Sequence, residues 1–251
     1  MAKISLYECK DYLNGSSFDP GLKVEIPHTE LMYRIELLES LTKGLKVIHL
    51  GCTDHLPLIQ EKIRKDTWLH ARIVRSSEKC LGVDINNEAV KYVKWELGYK
   101  DVYCADLSNQ PLAEIREKSW DLLVMGEIIE HVPAPSIFIN KLINNLEGRV
   151  KHLVITVPNA FALENTKFTR NNIEFINSDH YFWFTPYTIS RIVKNAGCEI
   201  EKIYMCESER PSQRARVRNY LYYRKIQNHS LLRNTIVVLA RIRENKTIEV
   251  K

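Results

Sequence analysis

The sequence predicts a doubly wound α/β fold, in which helices cover both faces of a mostly parallel sheet. Short apolar segments without strict alternation are typical of strands buried on both faces, and they occur at 45–50, 79–84, 101–104, 120–125 and 151–157. Segments with apolar residues at helical spacing separate them. Two later apolar segments, 198–206 and 235–242, complete a seven-stranded sheet with an antiparallel last strand.

The helices follow from the positions of apolar and capping residues. Residues 27–44 carry apolar side chains at helical spacing before the first strand, and Gly44 suits a C-terminal cap. Thr185 and Pro186 occupy the N-cap and first-turn positions of a helix that closes at Gly197. The alternation of strands and helices therefore continues along the chain.

We expect a single domain over residues 1–251, because a chain of this length can bury one substantial core. Its expected parts are a helical lead-in (1–44), a Rossmann-like core (45–206), a basic helical insertion (207–233) and the last strand with a tail (234–251). No apolar run approaches the roughly 18 residues of a membrane span, and the N-terminus lacks the apolar stretch of a signal peptide. Cytoplasmic localisation without membrane insertion is the resulting expectation.

The net charge of +5 is concentrated in one segment. Residues 210–225 contain six basic residues and no Asp or Glu, and they fall in a predicted helix over about 211–227. One interpretation is a solvated helix face. The other is an acceptor-binding segment in which Arg214, Arg216 and Arg218 hold a phosphate or diphosphate. Because the rest of the chain is near neutral, a small anionic acceptor is favoured over nucleic acid.

Two residues that follow the first two strands indicate a nucleoside cofactor. Ligands of doubly wound sheets lie beyond the carboxyl ends of the strands. Gly51 there lets the backbone approach a ligand, and Asp84 can accept hydrogen bonds from two ribose hydroxyls. The patterns GxGxxG and GxxxxGK[ST] are absent, and Asp84 lies farther from Gly51 than the roughly 20 residues typical of NAD sites. A nucleoside without phosphates fits best.

A series of motifs in this order resembles those of class I S-adenosylmethionine-dependent methyltransferases: KVIHLGC, CLGVDI, VYCADL, WDLLVMGEIIEHV, LVITVPN and DHYFWFTPYTISRIVKNAG. The resemblance covers roughly residues 26–242. It implies that Asp84 binds the ribose, that Asp106 and Leu107 frame the adenine, and that Gly126 and Glu127 lie beside the transferable methyl. The cofactor-binding residues implied in full are Gly51, Cys52, Thr53, Asp54, His55, Asp84, Ile85, Asp106, Leu107, Gly126 and Glu127.

The first motif departs from the family pattern. The departures are His49 in place of an acidic residue, and Thr53 and His55 in place of glycines. We therefore expect the methionine end of the cofactor to be held differently, by Asp54 or His55. The stretch 56–78 is also longer than the usual first crossover. Within it, His70 either contacts cofactor or substrate, or belongs to a surface elaboration.

Two histidines are candidates for the base that removes a proton from an acceptor hydroxyl. His131 follows the fourth strand in GEIIEHV, and His180 precedes the aromatic run YFWF. Each has a structural alternative. The pair Glu130 and His131 would only cap a turn, and His180 would be a hydrogen-bonded residue among core aromatics.

The same region is a candidate metal site. Glu127, Glu130, His131 and His180 would together offer oxygen and nitrogen ligands suited to Mg²⁺ or Mn²⁺. Such an ion would bind two vicinal hydroxyls of an acceptor and lower the pKa of one. A similar ExxEH with a distant His occurs in small-RNA 3′-terminal 2′-O-methyltransferases and resembles the pattern of ubiquinone-biosynthesis O-methyltransferases.

The expected function is O-methylation of a small polar acceptor. The stretches GCTDH, WLH and DHYFWF resemble methyltransferases of bacterial glycan pathways, which implies a sugar, sugar phosphate or nucleotide-linked sugar of capsule or lipopolysaccharide biosynthesis. One alternative is a metal-dependent 2′-O-methyltransferase of RNA 3′ ends. Another is a non-catalytic methyltransferase-like binding module, suggested by the missing glycines. A homo-oligomer is compatible with all three.

Overall fold

A computed structural model describes residues 3–146 and 148–243 of the chain. The strands of these residues are β1 (Ile4–Ser5), β2 (Val24–Glu25), β3 (Met32–Tyr33), β4 (Lys46–Leu50), β5 (Lys79–Asp84), β6 (Val102–Cys104), β7 (Trp120–Gly126), β8 (Val150–Pro158), β9 (Cys198–Glu207) and β10 (Thr235–Ile242). The α-helices are α1 (Lys10–Leu13), α2 (Arg34–Thr42), α3 (Leu56–Arg64), α4 (Leu69–Ser76), α5 (Asn87–Lys91), α6 (Ala113–Arg116), α7 (Pro135–Asn145), α8 (Leu163–Thr169), α9 (Pro186–Asn195), α10 (Gln213–Arg218) and α11 (Tyr220–Asn228).

The main sheet of the described residues has eight strands in the order β3-β9-β10-β8-β7-β4-β5-β6. All neighbouring pairs are parallel except those of β10, which runs antiparallel to both β8 and β9. β1 and β2 form a separate two-stranded parallel sheet. The expected Rossmann-like, doubly wound α/β fold with an antiparallel last strand is confirmed.

The central strands show why the sequence predicts this arrangement. Four of the five residues of β4 are buried, as are Leu122 to Met125 of β7, so both faces of these strands are covered. Such strands need apolar residues at successive positions rather than alternating ones. Apolar faces of the helices pack on both sides, as with Ile189 and Val193 of α9, which lie fully buried against the sheet.

Two expectations about the elements are wrong. The sheet has eight strands rather than seven, because Met32 and Tyr33 form an additional edge strand beside β9 and the helix expected over 27–44 begins only at Arg34. The basic segment forms two helices instead of one. The chain leaves helical geometry at Asn219, between α10 and α11, where φ is −108° and ψ is 33°.

The strand order places a crevice at the centre of the sheet. From β4 the chain order continues to β5 and β6 on one side and to β7 and β8 on the other. Ligands bind where the order reverses in this way, beyond the carboxyl ends of the strands. The expected tail at 244–251 lies outside the described residues. None of the described helices has the length and apolar character that a membrane span requires.

Candidate active site

A cleft of about 790 Å³ opens at the carboxyl ends of β4 and β7. Its wall contains all the residues expected to bind the cofactor, namely Gly51, Cys52, Thr53, Asp54, His55, Asp84, Ile85, Asp106, Leu107, Gly126 and Glu127. Glu130, His131 and His180 also line it. Residues from separate motifs therefore meet in one space.

The carboxylate of Asp84 is held in place by the loop that follows β4. Its Oδ2 atom accepts hydrogen bonds from the backbone N–H of Thr53 at 3.2 Å and from the Thr53 hydroxyl at 2.8 Å. Its Oδ1 atom accepts from the backbone N–H of Asn86 at 2.9 Å. A carboxylate oxygen can accept more than one hydrogen bond, so both oxygens retain capacity for a ligand hydroxyl. Thr53 thus orients the carboxylate that is expected to bind the ribose.

Gly51 lets the backbone pass close to the side chain of Ile128. Its φ of +71° is in the left-handed region, and a Cβ there would lie 2.9 Å from Ile128 Cδ1. Asp54, with φ of +62°, forms an ion pair with Lys62 of α3, and His55 is exposed at the cleft rim. Asp54 is therefore already paired with a cation of the protein.

At the far end of the cleft, Asp106 and Leu107 follow β6. Asp106 Oδ1 accepts hydrogen bonds from the backbone N–H and hydroxyl of Ser108 at 2.9 and 2.7 Å, and Oδ2 accepts from Asn109 Nδ2 at 2.6 Å. Leu107 is buried, and Phe138 of α7 also lines this end. The combination of apolar surfaces and a fixed carboxylate suits a flat heterocycle with an amino group.

A buried histidine pair lies in the cleft wall. His49 of β4 and His70 of α4 stack with ring centroids 5.4 Å apart, and their Nδ1 atoms are 3.2 Å apart. Burial lowers the pKa of His70 to about 4 and, together with His70 and Arg34, lowers the pKa of His49 well below 6.5. Because both rings are neutral, one Nδ1 atom carries a proton and donates it in a hydrogen bond to the other Nδ1 atom. The long first crossover therefore contributes to the cleft rather than to the outer surface alone.

The backbone turns sharply after β7. Glu127 has φ of +56°, an uncommon conformation for a residue other than glycine. Its Oε1 atom lies 3.6 Å from Arg34 Nη1 and 3.5 Å from the hydroxyl of Thr156, which donates to it. Arg34 Nε is buried and has no hydrogen-bond partner among the described residues. Arg34 thus brings an unsatisfied donor to the cleft.

Glu130, His131 and His180 come together beside Glu127. Glu130 and His131 belong to a 3₁₀ turn, Ile129–His131, and each of the three residues offers a ligand atom within 4.8 Å of the others. The loop that carries His180 is fixed to this turn, because the backbone N–H of Tyr181 donates to the carbonyl of Glu130 at 2.8 Å. A ligand set from two distant segments is thereby assembled.

Three buried polar atoms of this cluster lack a hydrogen-bond partner among the described residues. Glu130 is 0% exposed, and neither of its carboxylate oxygens accepts a hydrogen bond from the described residues. The same holds for His180 Nδ1. Burial, and secondarily Glu127, raises the pKa of Glu130 to about 8, while burial and His131 lower the pKa of His180. Buried unsatisfied groups are rare in native proteins and call for a ligand or another specific cause.

Two groups of predicted residues are not brought to the cluster. Glu127 is adjacent to it but outside the set whose ligand atoms meet, because its carboxylate faces Arg34 and Thr156. Arg214, Arg216 and Arg218 lie exposed on α10, and the cleft wall does not include them. The insertion instead follows β9 and packs through α11.

The family follows from comparison with known proteins. A model of the family described as "Methyltransferase domain" matches residues 31–203, which contain the cleft motifs. The chain belongs to this methyltransferase family. The expected class, that of S-adenosylmethionine-dependent methyltransferases, is confirmed. The alternative of a non-catalytic binding module is not supported. No curated protein matches the sequence of this methyltransferase.

Solved structures show the same fold. Magnesium protoporphyrin IX methyltransferase (ChlM) from Synechocystis PCC 6803, with bound SAH, is 14% identical, with a TM-score of 0.51 and 83% of each chain covered. The small RNA methyltransferase HEN1 is 16% identical, with a TM-score of 0.51 over 89% of this chain and 27% of that one. A putative methyltransferase in complex with the Haloferax volcanii Trm112 activator is 12% identical, with a TM-score of 0.51 and coverage of 83% and 88%.

Sequence reasoning missed Arg34 as a cleft residue of the methyltransferase. It begins α2, before the first motif, and its partner Glu127 lies far along the chain. Asp179 was also missed, although its carbonyl lies 3.2 Å from His131 Nδ1. Arg34 has no sequence signal, since only the folded chain brings it to its partner. Asp179 begins the motif DHYFWF, but the motif does not show that its carbonyl faces His131.

Proposed function

We propose that the methyltransferase transfers a methyl group from S-adenosylmethionine to a hydroxyl of a polar acceptor, assisted by a divalent cation held by Glu130, His131 and His180. One observation carries the proposal. A fully buried carboxylate without a hydrogen-bond partner among the described residues lies with two imidazoles, their ligand atoms within 4.8 Å of one another. Oxygen and nitrogen donors of this kind suit Mg²⁺ or Mn²⁺.

The cofactor fits the residues of the cleft. S-adenosylmethionine, when bound, supplies a methyl group on a positively charged sulfonium. Asp84 has acceptor capacity for the ribose hydroxyls, and Asp106 and Leu107 offer a carboxylate and an apolar surface to the adenine. The free donor of Arg34 suits the carboxylate of the methionine part, and Glu127 suits its ammonium group.

The histidines are arranged as metal ligands. His131 Nδ1 lies 3.2 Å from the carbonyl of Asp179, so it can donate its proton there and leave Nε2 as a lone-pair donor. Burial and His131 keep His180 neutral at physiological pH by lowering its pKa. A divalent cation at this site supplies the positive charge that lowers the pKa of an acceptor hydroxyl. Glu130 would be ionised by the same charge.

The acceptor we favour is a sugar, sugar phosphate or nucleotide-linked sugar. A cation of this kind selects neighbouring hydroxyls, which sugars carry, and the cleft has room for a small acceptor beside the cofactor. The second candidate is the terminal ribose of an RNA 3′ end. It is favoured by the same cluster together with exposed arginines outside the cleft, since a longer polyanion needs cations beyond the reacting group.

Methyl transfer from labelled S-adenosylmethionine tests this function. The acceptors are a panel of nucleotide sugars and sugar phosphates, and an RNA oligonucleotide with or without its terminal 3′-hydroxyl. We expect transfer to a diol-bearing sugar, loss of transfer in EDTA, and recovery with Mg²⁺ or Mn²⁺. Full turnover in EDTA would contradict the proposed need for a divalent cation. His131 or His180 would then remain as the candidate general base. Methyl transfer to RNA but to none of the sugars would show that the acceptor is RNA.

A further inference from the structure

The basic insertion combines positive charge with exposed apolar side chains. In α10, Val217 is 78% exposed, and Arg214 precedes it at i−3. In α11, Leu221 is 76% exposed, and Arg224 and Lys225 follow it at i+3 and i+4. Residues at these spacings share one face of a helix. The outward face of the insertion is therefore both cationic and apolar.

The inward face of α11 is already occupied. Ile226 is fully buried, and the hydroxyl of Tyr222 donates to the buried carboxylate of Glu207 at 3.0 Å. The aromatic ring of Tyr222 also lies under Lys167 of α8, with the ammonium 5.3 Å from the ring centroid. The helix is thus fixed to the domain, and its outward apolar residues remain unpartnered.

Most positive charges of the insertion have no carboxylate partner within the described part of the chain. Arg210 pairs with Glu36 at 2.8 Å, but the other cations of the segment have no carboxylate within 4.0 Å among the described residues. These cations are Arg214, Arg216, Arg218, Arg224 and Lys225. Free cations interspersed with exposed aliphatic side chains match an anionic surface with an apolar interior.

We infer that α10 and α11 form a docking surface for a membrane surface rich in anionic phospholipids. The cations meet the phosphate groups, while Val217 and Leu221 enter the boundary between headgroups and acyl chains. Single-stranded nucleic acid is bound by cations and aromatic stacking platforms, and Tyr220, which is 61% exposed, is one such aromatic. Val217 and Leu221 are more exposed and offer no stacking surface, so RNA leaves these two side chains unexplained. The chain would lie on the membrane surface without spanning it.

The position of the insertion gives the docking a consequence for the active site. It leaves the sheet after β9 and returns at β10, where Thr235 pairs with Pro158 at the carboxyl end of β8. The cleft opens at this same edge of the sheet. Docking would therefore bring the cleft edge toward the membrane, as a lipid-linked acceptor requires.

Sedimentation with sucrose-loaded vesicles tests the inference without reference to methyl transfer. The purified full chain is mixed with vesicles of phosphatidylcholine alone or of phosphatidylcholine with phosphatidylglycerol. We expect binding only to the anionic vesicles, with a steep loss at high salt. Arg214→Gln/Arg216→Gln/Arg218→Gln should lower the partition coefficient on the order of 100-fold. The matched control, Lys91→Gln/Lys100→Gln/Lys118→Gln, removes equal charge from exposed positions outside the insertion and should bind as the wild type.

A second variant separates a membrane from an RNA partner. Val217→Ser/Leu221→Ser keeps every charge and should lower vesicle binding by about 10-fold or more, through the loss of apolar contact. Absence of sedimentation with anionic vesicles would overturn the inference. So would unchanged vesicle binding by this variant, or displacement of the vesicles by single-stranded RNA that the variant binds as tightly as the wild type does. None of these results would count against the proposed methyl transfer, because sedimentation with vesicles does not measure it.

Discussion

The two ends of the cleft differ in how their polar groups are satisfied. At the cofactor end, the carboxylates of Asp84 and Asp106 each accept several hydrogen bonds from neighbouring residues. At the acceptor end, both oxygens of Glu130 and one nitrogen of His180 are buried without a partner among the described residues. The proposed cofactor end is organised by the described residues alone, whereas the proposed acceptor end leaves buried polar atoms that call for a ligand.

Two buried groups of the cleft wall have pKa values shifted in opposite directions. Burial lowers the pKa of His70 to about 4, so the folded state binds fewer protons there than the unfolded chain does. Burial raises the pKa of Glu130 to about 8, so the folded state without a cation binds more protons. Through His70, acid therefore lowers the stability of the folded state, while through Glu130 alkali lowers it when no cation is bound.

The largest effect is expected from removing a ligand of the cluster. Glu130→Gln and His180→Ala should lower kcat/KM by roughly 10³, since each removes a group that holds the cation beside the acceptor. Affinity for S-adenosylhomocysteine, measured by calorimetry, should stay within about twofold because these residues lie at the other end. His152→Ala, a surface histidine, is the control. Equal loss of cofactor affinity and turnover would erase the distinction between the ends.

Asp84→Ala makes the converse change. Loss of a charged acceptor for two hydroxyls should raise the Kd of S-adenosylhomocysteine by about 100-fold. The affinity of the protein for Mn²⁺ should not change. Asp101→Asn removes an exposed carboxylate before β6 and should leave both affinities unaltered. An Mn²⁺ affinity that falls with Asp84→Ala would show that the ends are coupled.

The histidine pair should make stability depend on acid pH. The folded pKa of His70 is below the unfolded value, so its contribution is present above pH 6.5 and is lost as pH falls toward 4. We expect a loss of about 3 kcal/mol from this residue, measured by urea unfolding across that range. His70→Gln should show a correspondingly shallower dependence. Parallel pH profiles would mean that His70 does not carry the effect.

Arg34→Gln should give the smallest change. Losing the donor for the methionine carboxylate is expected to raise the Kd of S-adenosylhomocysteine by about 10-fold. 5′-Methylthioadenosine lacks that carboxylate, so its affinity should stay the same. If both ligands weaken equally, Arg34 acts on the shape of the cleft and not on the methionine part.

The cofactor end was the more predictable of the two from sequence. Gly51 and Asp84 follow strands whose apolar pattern is plain, and chain connectivity fixes the ends of parallel strands at one edge. Met32 and Tyr33 were not recognised as a strand, because two residues have no periodicity and their partner is the distant β9. The break at Asn219 was missed for a similar reason, since its sequence surroundings remain helical in pattern.

The acceptor end was predictable only as a set of candidates. The spacing of Glu130 and His131 indicates a shared turn, but no pattern shows that His180 joins them or that Glu127 faces Arg34 instead. Those outcomes depend on the loop before α9, whose position is fixed by contacts such as that of Tyr181 with Glu130. Burial of Glu130, the observation that gives the cluster its chemical meaning, likewise exists only in the fold.

Calorimetric titration with Mn²⁺, in the presence of saturating S-adenosylhomocysteine, tests the cation site most directly. We expect one ion per chain for the wild type, with affinity that rises with pH as Glu130 releases its proton. Binding should disappear in His180→Ala and persist in His152→Ala. Absence of binding by the wild type, or equal affinity in wild type and His180→Ala, would contradict a cation held by Glu130, His131 and His180.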